Sequence, residues 1–278
     1  ITDPETASEF LLGGEIADDP FGFADMDLAV ERIQRALDNH EQMAVYGDYD
    51  ADGVTSTVLL YTYLREKEAD VTYYLPDREK EGYGLHKESI DLLHQQGVKL
   101  IITVDNGIAA VGEIAYAASL GVDVVVTDHH QPQETLPAAV AVVDPHRADC
   151  GSEFKDYAGV GVAFKLVCAL EGDAEPVMAR FGDLVAIGTL GDVMPLTGEN
   201  RALVRAGLRV LNEGNRPGLR ALARAAGAEN KELSSANVVF TLVPRLNAAG
   251  RMDSPDRAAR LLMTAQDDVA EALAGEIQ

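Results

Sequence analysis

The sequence predicts an α/β protein with a doubly wound, mainly five-stranded parallel sheet that has helices on both faces and is followed by a mostly helical segment. Two observations support this fold class. First, continuous apolar runs rich in β-branched residues are typical of strands that are buried on both faces of a sheet. Second, helical patterns separate these runs, as in successive βαβ units. The five predicted strands lie at 43–47, 71–75, 100–104, 123–127 and 139–143.

Helical periodicity and glycine positions define the remaining elements. Apolar residues recur at helical spacing between Asp25 and Leu37, ahead of the first strand. Two of the helices between strands end at Gly97 and Gly121, and glycine commonly ends helices. Beyond residue 150 we expect helices at 159–171, 176–190 and 199–226, and one further strand within 237–250.

Composition restricts the class of protein. The chain has 278 residues, of which 47% are hydrophobic, enough for one large or two modest folded domains. No apolar run approaches the roughly 18 residues that a membrane span requires, so we expect no membrane association. Two cysteines, Cys150 and Cys168, are too few for a disulfide framework and predict reduced thiols in a cytoplasmic protein.

The net charge of −23 argues at first against a nucleic-acid partner. The charge is unevenly distributed, however. Between Asn200 and Arg260, eleven bases face five acids, whereas acids dominate between Asp3 and Glu41. Most of these arginines are typical of solvated helix faces, but the overall charge does not exclude a local basic surface.

Polar residues follow each predicted strand. In open α/β sheets, ligands bind beyond the carboxyl ends of the strands, so these side chains should meet at one edge. A single Asp after a strand is more often a helix N-cap, which is the simpler interpretation of Asp105 alone. The convergence of several acids and histidines favours a site. The residues are Asp48, Asp50, Asp52, Arg78, Asp105, Asp128, His129, His130 and Asp144.

The stretch from Asp48 to Gly53 resembles the start of a calcium-binding EF-hand loop, but the rest of the loop does not fit. An EF-hand needs a Glu at loop position twelve, where this chain has Leu59, and it needs a flanking helix where a strand is predicted. Several converging carboxylates would repel one another unless a cation were present. The mixed Asp and His set favours manganese, with magnesium, iron or zinc as alternatives. The N-terminus of the helix after Gly53 favours an anionic substrate such as phosphate.

Four ordered segments carry a family resemblance. These are "GDYDADGVTST" (47–57), "TVDNGI" (103–108), "VVTDHH" (125–130) and "GTLGDVMPL" (188–196). Together they resemble the motifs of the DHH phosphoesterase superfamily. "DMDLAVERI", "PDREKEGYG", "YAGVGVAFKL" and "PRLNAAGRMDSP" are similar to its RecJ branch of single-strand-specific exonucleases, over about residues 25–255.

The resemblance implies a two-metal hydrolase with two divalent ions, Mn²⁺ or else Mg²⁺. Asp105 would bridge both ions, His130 would contact the scissile phosphate, and Asp128 would support the histidines. Many superfamily members have a histidine at the position of Ala44, so Asp52 or water would complete one metal shell. The implied metal ligands are Asp48, Asp50, Asp52, Asp105, His129 and Asp192, and the implied phosphate-binding residues are His130, Arg245 and Arg251. Arg78, which follows the second strand, is a further candidate because a guanidinium group can bind a phosphate with two hydrogen bonds.

The resemblance also implies a domain organisation. Residues 1–40 form an N-terminal arm and helix, 41–195 the DHH catalytic domain, and 196–255 a mostly helical extension that completes it. Residues 256–278 begin a linker helix to a C-terminal substrate-binding domain that this chain lacks.

Three functions remain open from the sequence. The first is a 5′-to-3′ exonuclease of DNA repair and recombination that releases mononucleotides from single-stranded DNA. The resemblance implies that it acts as a monomer alongside a DNA-repair helicase or a single-strand-binding protein. The second is a related enzyme on short oligonucleotides, cyclic dinucleotides or pyrophosphate. The third is a catalytically silent binding module, which would not need His129, His130 and Asp192.

Overall fold

A computed structural model describes residue 16 and residues 18–78, 81–229, 231–252 and 255–277. Most of the predicted N-terminal arm lies outside these residues. The first regular element is a 3-10 turn at Pro20–Gly22. Among the described residues, no helix combines the length and the apolar character that crossing a membrane requires.

The predicted five-stranded parallel sheet is confirmed. Its strand order is β2-β1-β3-β4-β5, and each neighbouring pair is parallel. The strands are β1 (Met43–Tyr46), β2 (Val71–Tyr74), β3 (Leu100–Val104), β4 (Asp123–Thr127) and β5 (Ala141–Val143).

Burial on both faces explains why the strands do not alternate between apolar and polar residues. In β1, Met43 and Val45 pack into one core cluster, whereas Ala44 and Tyr46 pack into a second, smaller cluster. Successive side chains of a strand point to opposite faces, so these clusters lie on opposite sides of the sheet. All four residues are buried, and a polar residue at any of them would lose its contact with water.

Helices cover both faces, as the doubly wound prediction requires. Helices α3 and α4 pack against the smaller cluster through residues such as Ile90 and Ile114. Helices α1, α2 and α5 pack against the larger cluster on the other face. Their bounds are α1 (Met26–Asp38), α2 (Ala51–Glu66), α3 (Lys87–Gln95), α4 (Val111–Ser119) and α5 (Gly159–Glu171).

The C-terminal part is helical. The predicted helix at 199–226 is interrupted at Gly214, whose φ of 68° ends the first of two helices. The predicted linker helix is divided into two helices. The elements are α6 (Ala174–Gly191), α7 (Gly198–Glu213), α8 (Pro217–Ala225), a π-helical turn (Val238–Leu242), α9 (Val243–Met252), α10 (Pro255–Met263) and α11 (Asp267–Glu276).

The strand predicted within 237–250 was wrong, because this segment is helical. The β-branched pair at Val238 and Val239 suggested a strand. The buried side chains, however, include those of Val238, Leu242, Val243, Leu246 and Ala249, which recur at helical rather than strand spacing. Tertiary packing on one face therefore overrides local β-propensity.

Helices α6 and α7 approach each other closely at a pair of glycines. A Cβ built on Gly207 would overlap the carbonyl oxygen of Gly182 and would lie 2.8 Å from the Cβ of Ala186. The absence of a side chain at Gly207 therefore sets the distance between the two helices. This contact affects the position of α6, whose C-terminal end lies next to the polar residues at the carboxyl edge of the sheet.

We expect Gly207→Ala to lower the free energy of unfolding by about 1–3 kcal/mol, the usual cost of overpacking. Urea denaturation followed by circular dichroism measures the change. Gly275→Ala is the matched control, because a Cβ at Gly275 would meet nothing within 4 Å. Equal stability of the two variants would contradict the close-packing argument.

Candidate metal centre

The site lies where the strand order reverses. β1 is flanked by β2 on one side and β3 on the other, so the connections that leave β1 and β3 diverge and open a crevice at the carboxyl edge of the sheet. Asp48 follows β1, Asp105 follows β3, and Asp128 to His130 follow β4. The sheet therefore brings together side chains that are far apart in the sequence.

Asp48 is the first acid of the first motif, and its carboxylate is buried without a full set of partners. It is 3% exposed, and its Oδ1 atom has no hydrogen-bond partner among the described residues. Burial, followed by the charge of Asp50, raises the pKa of Asp48 to about 7. Such a carboxylate is costly to ionise unless a cation is bound next to it.

The other two acids of this motif have local structural roles. Asp50 is the N-cap of α2, and its Oδ1 accepts hydrogen bonds from the N–H groups of Asp52 and Gly53, both at 3.0 Å. Asp52 accepts N–H bonds from Gly159 at 2.7 Å and from Val160 at 2.9 Å, at the N-terminus of α5. Burial nevertheless raises the pKa of Asp52 to about 7.

Asp105 has the most strained backbone of the predicted ligands that follow strands. Its φ is 62°, in the left-handed region, which Asp tolerates better than most residues. A Cβ on Gly159 would lie 2.5 Å from the Cβ of Asp105, so only glycine fits opposite it. Burial and the charges of Asp52 and Asp50 raise the pKa of Asp105 well above its usual range.

His129 faces three of the predicted carboxylate ligands. Its Nε2 atom lies 3.1 Å from Oδ1 of Asp105, 3.7 Å from Oδ2 of Asp192 and 3.9 Å from Oδ2 of Asp52. The residue is 7% exposed. One imidazole nitrogen therefore points into the middle of an acidic cluster, as a metal-ligating nitrogen would.

Asp128 and His130 form a separate pair. Asp128 is fully buried and accepts hydrogen bonds from the N–H groups of Ile108, His129 and His130, and its Oδ1 lies 2.7 Å from Nδ1 of His130. Burial raises the pKa of Asp128, but its bonds to His130 and to these N–H groups outweigh burial and lower it. The bond to Asp128 raises the pKa of His130.

Asp192 reaches the cluster from the C-terminal end of α6, where it is the C-cap residue. Its side chain is partly exposed, and burial raises its pKa. Asp144, after β5, is completely buried, and its Oδ2 has no hydrogen-bond partner among the described residues. Burial raises the pKa of Asp144 to about 7.

Tyr83 is a residue of the site that the sequence did not single out. Its hydroxyl lies 3.2 Å from the carbonyl oxygen of Asp105, to which it donates, and 3.2 Å from Nδ1 of His130. It thereby links the loop after β2 to the segments after β3 and β4. The only available signal was its position in "PDREKEGYG", a motif that does not show which residue contacts the site.

The predicted phosphate-binding arginines differ in their surroundings. The guanidinium of Arg78 lies 5.1 Å from the ring centre of Tyr49, a residue of the first acidic motif. Arg245 donates to the carbonyl oxygen of Thr241 at 2.8 Å. The side chain of Arg251 lies outside the described residues. Helix α9 adjoins the site through Asn247, whose Oδ1 accepts the N–H of Ala51 at 2.8 Å.

Within the described part of the chain, three groups of side chains could hold a metal ion, because the ligand atoms of each group lie within 4.8 Å of one another. Asp105 belongs to two groups, and so does His129. The unpartnered Oδ1 of Asp48 supports this fit, since a buried oxygen without a donor is suited to a cation. The groups are Asp48–Asp50–Asp105, Asp105–His129–His130 and Asp52–His129–Asp192.

We expect the metal-free protein to lose stability as the pH rises. The pKa of Asp48 and of Asp52 is raised from 3.8 to about 7 in the folded state. The two carboxyl groups therefore contribute to the stability of the folded state fully when the pH is below their unfolded-state pKa. This contribution is lost as the pH rises through their folded-state pKa. The Tm of protein in a chelator should be lower at about pH 8 than at about pH 5.

Asp48→Asn provides the control for this prediction. Because this variant has no ionisable group at position 48, its Tm should fall less between about pH 5 and about pH 8 than the Tm of the unmodified protein. Added Mn²⁺ should raise Tm more at high pH, because cations bind the ionised carboxylates. A Tm that does not change across this pH range in the chelated protein would contradict the prediction.

Sequence comparisons identify proteins that are similar to this chain. The model of the DHH family, N-terminal domain, matches residues 42–189. The single-stranded-DNA-specific exonuclease RecJ of Bacillus subtilis is 46% identical over 93% of this chain and 33% of its own length. The RecJ of Escherichia coli is 41% identical over 91% of this chain and 46% of its own length.

Solved structures show the same similarity. A crystal structure of exonuclease RecJ bound to manganese has a TM-score of 0.83 and 38% identity, covering 92% of this chain and 65% of that one. RecJ from Thermus thermophilus in complex with Mn²⁺ has a TM-score of 0.80 and 37% identity, covering 92% and 37%. The chain spans a third to a half of the length of the Bacillus subtilis and Escherichia coli relatives. Because the family model covers more than half of its residues, the chain belongs to the DHH family.

Proposed function

We propose that this chain is the catalytic part of a metal-dependent phosphodiesterase that removes mononucleotides from the 5′ end of single-stranded DNA. The observation that carries the proposal is the convergence of Asp105 and His129 with carboxylates from two further segments, the first acidic motif and the end of α6. The similarity to RecJ proteins, whose names specify single-stranded DNA, supports this substrate. The 5′-to-3′ direction rests on the family resemblance.

The proposed cofactor is a pair of divalent ions, with Mn²⁺ preferred and Mg²⁺ as the alternative. Asp48, Asp50 and Asp105 would hold one ion, while His129 and Asp192 would hold the other with Asp105 shared. Asp52 is proposed as a further ligand, because it belongs to the group with His129 and Asp192. RecJ structures in complex with Mn²⁺ and with Mg²⁺ support both metals.

When bound, such ions lower the pKa of a water molecule and neutralise charge on the phosphate. The protein side chains supply orientation. Asp128 lies against Nδ1 of His130, which leaves Nε2 of the same ring available to the scissile phosphate. The bond to Asp128 raises the pKa of His130 and so favours the protonated ring, whose Nε2–H can donate a hydrogen bond to a phosphate oxygen.

Arginines would complete the phosphate site. Arg78 stacks on Tyr49 beside the first acidic motif, and its guanidinium can bind a phosphate with two hydrogen bonds. Arg245 and Arg251 are proposed from the motif resemblance, and α9, which carries both, contacts the N-terminus of α2 through Asn247.

The proposed organisation follows the predicted domains. Residues 41–195 form the catalytic domain, 196–255 complete it, 1–40 form the arm and first helix, and 256–278 lead toward a substrate-binding domain. A cytoplasmic monomer that works with a DNA-repair helicase or a single-strand-binding protein fits this role. The free thiols of Cys150 and Cys168 are compatible with a reducing compartment.

The direct test is release of mononucleotides from a 5′-phosphorylated single strand in the presence of Mn²⁺. A dinucleotide and pyrophosphate, assayed in parallel, separate a DNA exonuclease from an enzyme for short substrates. Faster hydrolysis of either short substrate would favour that second function. Hydrolysis of none of the three would contradict the proposal.

Asp105→Asn should reduce kcat by more than the roughly 10- to 100-fold loss typical of an outer-shell partner of a metal ligand. Asparagine tolerates the left-handed backbone and keeps the size of the side chain, so the fold should be retained. Steady-state assays with Mn²⁺ measure the loss. Asp267→Asn, at an exposed acid in α11, should leave kcat unchanged. Near-normal activity of Asp105→Asn would exclude Asp105 as a bridging ligand.

A further inference from the structure

The C-terminus of α6 ends in a turn in which Val193 takes the place that glycine usually occupies. Its N–H donates to the carbonyl oxygen of Leu190 at 3.3 Å, and the N–H of Met194 donates to that of Thr189 at 3.3 Å. This pair of bonds defines a Schellman motif, whose residue after the C-cap adopts the left-handed conformation. Val193 accordingly has a φ of 57°.

Valine is unfavourable at this position for two independent reasons. A β-branched residue with positive φ is a backbone outlier, because its side chain crowds the neighbouring carbonyl group. The side chain is also 81% exposed, so packing within the described residues does not compensate for the strain. Strain of this kind clusters at functional sites.

The neighbouring segment carries a second exposed apolar side chain. Phe240 is 79% exposed and lies on the π-helical turn at Val238–Leu242. Such turns frequently occur at functional sites. The turn directly precedes Val243, the first residue of α9, and a Cβ on Gly191 at the end of α6 would lie 3.6 Å from the side chain of Val243.

Val193 directly follows Asp192, a proposed metal ligand, and Phe240 lies three residues before Val243, which packs next to the residue that precedes Asp192. The surrounding site consists mainly of acids and histidines, which suit ions and phosphate but not an apolar group. In a nucleotide, the base is the flat, largely apolar part attached to the phosphate through the sugar. Stacking on apolar and aromatic side chains is how single-stranded nucleic acids are bound without sequence preference.

We propose that Val193 and Phe240 form an apolar contact for the nucleobase of the nucleotide whose phosphate occupies the metal centre. This inference rests on the proposed function for the nature of the ligand. It assigns the two residues to substrate positioning, whereas the acids and histidines act on the phosphate. The contact would be tolerant of sequence, because every base presents an apolar face.

The test compares the binding of dAMP with that of 2-deoxyribose 5-phosphate, which lacks the base, to the Mn²⁺-loaded protein by calorimetry. We expect dAMP to bind about tenfold or more tightly, within the range that one stacked base supplies. Val193→Gly and Phe240→Ala should weaken dAMP binding and leave binding of the sugar phosphate unchanged. Equal affinity of the unmodified protein for both compounds would overturn the proposal.

Val193→Gly also separates a functional role from a structural one. Glycine adopts positive φ without strain, so the Tm of this variant should be equal to or higher than that of the unmodified protein. Weaker dAMP binding together with undiminished Tm is the expected result. Undiminished Tm with unchanged dAMP binding would show that Val193 does not contact the base.

Two variants serve as controls away from the site. Phe21→Ala removes another exposed aromatic side chain, which lies on the N-terminal 3-10 turn. Val140→Ala changes an exposed valine just before β5, at the opposite edge of the sheet. Neither should alter dAMP binding, and equal weakening by Phe21→Ala and Phe240→Ala would contradict the proposed site.

Binding and hydrolysis test different claims. If dAMP is preferred and the variants weaken it, the apolar contact stands even when a long single strand is not hydrolysed. If single-stranded DNA is hydrolysed but dAMP has no advantage over the sugar phosphate, the proposed function stands and the apolar contact is wrong.

Discussion

Several carboxylates are buried close together at the carboxyl edge of the sheet, and the fold must offset the repulsion between them. Asp48, Asp52 and Asp105 are almost completely buried, and the pKa of each is raised. The fold places backbone N–H groups and an imidazole against them. These contacts reduce the cost of ionisation without removing it, and a divalent cation would supply the remaining compensation.

Several elements of the fold are arranged around this cluster. The N-terminus of α5 donates two N–H bonds to Asp52, and Gly159 at that terminus leaves room for Asp105. The close glycine contact between α6 and α7 fixes the helix that ends at Asp192. Packing between two helices outside the sheet is therefore linked to the position of a proposed ligand.

Backbone strain marks both sides of the site. Asp105 and Val193 have positive φ, and each lies next to a sharp change of chain direction. At Asp105 the conformation turns a carboxylate toward His129. At Val193 it ends a helix immediately after Asp192. In both places the residue adopts a backbone conformation that its residue type disfavours. Such departures from local preference are characteristic of functional sites.

The sheet and the acids that follow its strands could be predicted without a structure, because continuous apolar runs and the residues after them are local features of the sequence. Asp48, Asp105, Asp128 and His129 could be predicted in this way. Asp192 was predicted only by resemblance, and Tyr83 and Gly159 were missed. Their positions depend on how helices and loops pack against the sheet edge. The helical state of 238–252 was likewise decided by tertiary burial, because local β-propensity indicated a strand.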